Sequence, residues 1–106
     1  MRVLNYKNGG CELDSITTLL NEVYREHPHY ATSRARTIAK ALASVNPFFR
    51  HGDYRGFLAY SGDRPMAHAC AIVDGRLPGV GLIGFFESLS ESAYAQLVLQ
   101  EAIGYL

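Results

Sequence analysis

The chain has 106 residues, with ten basic and ten acidic side chains and no formal net charge. That length is room for one domain, and the lack of a basic excess excludes a nucleic-acid binder of the electrostatic kind. Apolar residues make up 48% and charged residues 19%, which is too apolar for disorder, yet no apolar run reaches the ~18 residues of a membrane span. The opening MRVLNYKNGG lacks the apolar core of a signal peptide. Two cysteines, Cys11 and Cys70, form neither a disulfide scaffold nor a four-ligand zinc site. They fit a reducing compartment, and the expected location is cytoplasmic, with no nucleic-acid or membrane partner.

In chain order, Arg2 to Tyr6 predicts a short strand closed by the turn KNGG. Leu13, Ile16, Leu19, Leu20, Val23 and Tyr24 then recur at helical spacing, with Asp14 as N-cap and Pro28 as terminator. HPHYATS reads as a connector. Ser33 is expected to cap a second helix whose stripe is Ala35, Ile38, Ala39 and Leu42, ending before Asn46-Pro47. The period then changes. Tyr54 to Tyr60, Met66 to Val73 and Val80 to Phe86 predict three strands of an antiparallel meander, joined by SGDR and DGRLPG. Ser88 and Glu91 have capping-box spacing, and a last helix runs to the chain end. The order β-α-α-β-β-β-α is that of an α+β domain: a four-stranded antiparallel sheet with three helices.

Two segments carry more apolar surface than one interface needs. The last helix presents Ala93, Tyr94, Leu97, Val98, Leu99, Ala102, Ile103, Tyr105 and Leu106, which cannot all face one sheet. The final strand is apolar on both alternations, Val80, Leu82 and Phe86 on one and Ile83 and Phe85 on the other. As the last strand of a meander it should be an edge, and an apolar edge invites pairing with another chain. These features, and the absence of a polar turn before Leu106, predict further structure in a longer protein or a homodimer.

The element order, together with NPFF at Asn46 to Phe49, FLAY at Phe57 to Tyr60, GDRP at Gly62 to Pro65, a strand ending in Asp74 and GFFE at Gly84 to Glu87, resembles the first half of a GNAT-type N-acetyltransferase. The resemblance implies an acetyl-CoA or other acyl-CoA cofactor lying along the fourth strand, with Phe85, Phe86, Ser88 and Ser90 as its contacts and Glu87 as general base for the amine. In that family the turn into the third helix is glycine-bearing and wraps the pyrophosphate. Here ESLSESAYAQ has no glycine, and Glu87 and Glu91 oppose a polyanion. The fifth strand and fourth helix of the family fall outside these 106 residues. The resemblance thus implies that residues 1–106 form a single GNAT-like half-domain, which is expected not to be catalytic by itself and to join as a homodimer through the last strand and helix. One alternative is a CoA-dependent N-acyltransferase whose cleft is completed by a second chain or a further C-terminal half. Another is a small-molecule binding module with its pocket under the first two helices, lined by Tyr24, Tyr30, Phe48 and Phe49.

Other groups read as structural. His68 and Cys70 share one strand face with Met66 and Ile72, but no carboxylate orients them as a nucleophile pair, so they read as a packing face. The opposite face, Ala67, Ala69, Ala71 and Val73, is small enough for a helix to approach closely. His27 and His29 have no further ligand beside them, and no metal is expected. Arg34, Arg36, Lys40, Arg50 and Arg55 read as a solvated face.

Overall fold

A computed structural model describes residues 2–7 and 11–106. Among these, strand β1 (Arg2–Tyr6) is followed by helices α1 (Cys11–Val23) and α2 (Pro28–Leu42), strands β2 (Gly52–Ser61), β3 (Arg64–Asp74) and β4 (Gly81–Ser88), and helix α3 (Ser92–Tyr105). A 3-10 turn at Pro47–Arg50 links α2 to β2. The four strands lie in sequence order and every neighbour pair is antiparallel. This is the α+β architecture expected from the periodicity. Residues 8–10 of the KNGG turn lie outside the described residues.

Alternation along the strands gives the sheet two apolar faces. On one, Tyr6, Tyr54, Leu58 and Cys70 pack with Ile16 and Leu20 of α1 and with Ile38 and Leu42 of α2. On the other, Phe57, Ala59, Ala67, Ala69 and Ala71 pack with Val98 and Ala102 of α3. The fold is therefore three layers, with the sheet in the middle. The alanine row fulfils its expected role, since methyl side chains let α3 settle directly onto β3. Ala69→Leu would force three extra carbons into a fully buried position and is expected to cost about 3 kcal/mol, measured by urea denaturation.

Three expected boundaries move. Helix α2 begins at Pro28 rather than after Ser33, because a proline at the first helical position has no N–H to waste and its φ is already helical. Its N-cap is His27, which makes no side-chain cap bond. Asp14 lies inside the first turn of α1, which starts at Cys11, so it is not the N-cap. The Ser88–Glu91 capping box does not form. Ser88 is still in β4, opposite Ala67, and its hydroxyl donates to the Leu89 carbonyl at 2.7 Å, while Glu91 is the N-cap of α3 without a side-chain bond.

The sharpest departure is in β4. Cys70 lies opposite Gly84 and His68 opposite Glu87, so Ala69 alone faces both Phe85 and Phe86. This is a β-bulge, and Phe85 carries it with φ of 54°, a region that side chains bearing a Cβ rarely occupy. The extra residue reverses the expected alternation. Phe85 packs with the α1–α2 core, and alternation back from Glu87 turns Phe86 to the α3 side.

Candidate functional site

The α1–α2 face of the sheet carries a seam of buried polar groups. Gly56 starts it. Tyr6 lies opposite Gly56, and its ring crosses that glycine so closely that a Cβ there would stand 2.2 Å from the Tyr6 Cζ. The cleared path lets the Tyr6 hydroxyl reach His68 Nε2 at 2.6 Å. On the far side of the imidazole, Nδ1 stands 2.8 Å from the Phe85 carbonyl oxygen. A carbonyl only accepts, so Nδ1 carries the proton and Nε2 accepts from the tyrosine. The bond accepted at Nε2 requires a neutral ring. Burial lowers the His68 pKa to about 4 and drives the Tyr6 phenol well above its ordinary value. The His68 N–H thus ties the carbonyl of the strained bulge residue.

Beside this relay, Glu87 projects from β4 onto the same face. It is buried at 5% exposure, and its Oε1 accepts from Arg34 Nε at 2.9 Å. The Tyr24 hydroxyl donates to Oε2 at 2.7 Å, and that bond raises the Tyr24 pKa to about 12. Tyr24 in turn meets Tyr30 edge-on, with centroids 4.7 Å apart. Arg34 therefore does not belong to the expected solvated face. Its side chain is 27% exposed, and its guanidinium stands 5.7 Å from the centroid of Phe85. Arg55 leaves the solvated face as well, lying over the Tyr105 ring on the α3 side. A helical position next to basic neighbours hides such a pair, because Arg34 and Glu87 are far apart in sequence.

Next to Phe85 opens an apolar pocket of ≈220 Å³, walled by Leu42, Phe48, Phe49, Tyr54, Ile72 and Phe85 among others. Phe48 and Phe49 line it as expected, but Tyr24 and Tyr30 are not among its walls: Tyr24 bonds Glu87 instead, and Tyr30 packs on Tyr24. The NPFF segment builds it: Asn46 accepts from the Phe48 N–H at 3.0 Å and donates to the Ala41 carbonyl at 2.8 Å, clamping the 3-10 turn against the end of α2. Asp74 closes the far end of β3, accepting from His51 Nδ1 at 3.1 Å and from Arg76 Nη2 at 3.0 Å. These bonds, Arg76 foremost, hold its carboxyl well below the usual carboxylate range.

The residues expected to meet a cofactor do not share one surface. Glu87 and Phe85 face α1 and α2, Phe86 is 43% exposed, Ser88 is half-buried and Ser90 is exposed. Cys70 is buried 3.8 Å from His68 Nε2, and burial pushes its thiol up to about 12. Such a thiol is not a nucleophile at neutral pH. Among the described residues no group of His, Cys, Asp and Glu has metal-site geometry, and no helix is long and apolar enough to cross a membrane. The chain matches no protein-family model, no curated protein and no solved structure.

Proposed function

We propose that the chain is a GNAT-like half-domain, related to acyl-CoA-dependent N-acyltransferases, that works in the cytoplasm as a homodimer joined through β4 and α3 and does not transfer an acyl group as an isolated chain. The observation that carries this reading is the edge of the sheet. Strand β4 has β3 on one side and no neighbour on the other among the described residues. It exposes Leu82, Ile83 and Phe86, and Ile103 and Leu106 are exposed at the end of α3. Leu106 lies over the start of β4, against Gly81, on the α3 side of the sheet to which Ile83 and Phe86 also point, while Leu82 faces the other side. A hydrophobic edge with free backbone donors and acceptors is a template for a further strand. Glu87 as a base would act from a carboxylate whose two oxygens each already accept one hydrogen bond, from Tyr24 and from Arg34, and both bonds favour its charged form.

Sedimentation velocity tests the assembly. The chain is expected to sediment as a dimer at micromolar concentration. Ile83→Asp, which adds a charge on the open edge of β4, is expected to give a monomer with an essentially unchanged melting temperature. A wild-type monomer up to about 100 μM, a Kd weaker than about −5.5 kcal/mol of association, overturns the homodimer.

A second reading, a CoA-dependent N-acyltransferase whose cleft is completed by a second chain or a further C-terminal half, is favoured by the bulge. Strained backbone at a non-glycine residue collects at ligand sites, and Phe85 lies two residues before Glu87. Calorimetry with acetyl-CoA separates the two: binding tighter than about 1 mM, −4.1 kcal/mol, supports the second reading over the first.

A further inference from the structure

We infer that the pocket between the end of α2 and the sheet binds an aryl-alkanoic acid, its ring among Phe48, Phe49 and Phe85 and its carboxylate on Arg34. This site lies on the helix-covered face and rests on neither the assembly nor the acyl-transfer reading.

Size and walls come first. An apolar cavity of about 150 Å³ holds a benzene ring, so ≈220 Å³ holds a ring with a short carbon chain. The walls are aromatic and aliphatic, and rings of Phe48, Phe49 and Tyr54 already meet one another edge-on or tilted, the arrangement into which another ring fits best. The clamped Asn46 keeps these walls in place without a ligand, so little ordering cost falls on binding.

The anchor comes next. Arg34 and Ala41 lie seven residues apart on one face of α2, two turns or about 10 Å. Ala41 borders the pocket, and Arg34 stands against Phe85, which is also a pocket wall. Arg34 does not itself line the pocket, and Phe85 is the wall that joins the two, so a ring in the pocket needs a short carbon chain to carry a carboxylate past Phe85 to the guanidinium. Only Arg34 Nε bonds protein among the described residues; its two terminal NH₂ groups form an open fork that matches a carboxylate. Glu87 on the other edge of the same guanidinium selects for a single charge. Glu87 opposes any further anion, a dianion such as phosphate more than a carboxylate, and the Tyr24 hydroxyl donating to Glu87 Oε2 lessens that opposition.

The experiment is an amide NMR titration of the full chain with 3-phenylpropionate and, in parallel, the uncharged 3-phenylpropan-1-ol. Saturable shifts are expected at Leu42, Phe49 and Phe85, and the acid is expected to bind about tenfold tighter than the alcohol, the worth of one charge-assisted contact. Ala41→Leu, which fills the pocket from its helix wall, is expected to weaken both ligands at least about tenfold. Arg34→Gln, which removes both the charge and the fork, is expected to bring the acid close to the alcohol. Equal affinity of acid and alcohol for the wild-type chain overturns the proposal, as does the absence of saturable shifts up to about 10 mM. The ligand pair tests the site on the wild-type chain alone, even if a variant fails to fold.

Discussion

Gly56→Ala is expected to destabilise the domain by about 4 kcal/mol, enough to remove most of the stability of a small domain. The added Cβ would lie 2.2 Å from Tyr6 Cζ and 2.3 Å from Tyr6 Cε1. Tyr6 has nowhere to go: it is 4% exposed, in contact with the Tyr54 and His68 rings, under α1 and α2. If it leaves the core, a buried aromatic ring is lost and His68 Nε2 loses its donor, so a cavity cost and a desolvation cost fall together. Gly104→Ala is the control. A Cβ there meets nothing within 4 Å, and alanine in a helix is expected to raise stability by up to about 1 kcal/mol. Urea denaturation of both variants checks the pair. A Gly56→Ala chain within about 1 kcal/mol of wild type would show that the Tyr6 ring is not held where the seam requires it.

The second large effect is acid sensitivity. His68 is neutral in the fold, with a pKa lowered to about 4 by burial, whereas an exposed histidine titrates near 6.5. Between these values the unfolded chain binds a proton that the folded chain refuses. Stability is therefore full above about pH 6.5 and is lost as the pH falls toward about 4, by about 3 kcal/mol in all and about 2 by pH 5. His68→Gln removes the titrating group, and its stability is expected to change far less between pH 7 and pH 5. Denaturation midpoints for the two chains at those pH values decide the matter. A wild-type chain equally stable at both would mean that the imidazole is reached by water or charged in the fold.

The element order, the strand pairing and the division of β3 into an alanine face and a His68–Cys70 face are all readable from periodicity, because each is a local pattern. What escapes are consequences of contacts between distant segments. No local signal pairs Arg34 with Glu87 or Tyr6 with His68. The bulge is invisible to an alternation rule that assumes one residue opposite each partner, so Phe85 and Phe86 exchange faces. The start of α2 lies earlier than the pattern places it, because Pro28 serves a helix beginning as well as a helix end. The aromatic pocket is half legible: Phe48 and Phe49 follow directly from the NPFF turn, while Tyr24 turns to the carboxylate of Glu87 and Tyr30 packs on Tyr24.

The burial of Cys70 makes it a clock. Its sulfur lies under α1 and α2 with no exposure, and alkylating reagents consume the thiolate, which that environment withholds. Reagent therefore reaches Cys70 only when those helices lift from the sheet. The rate of its labelling in native buffer counts these openings, and an oxidant that spares the intact domain would mark each molecule that has come apart.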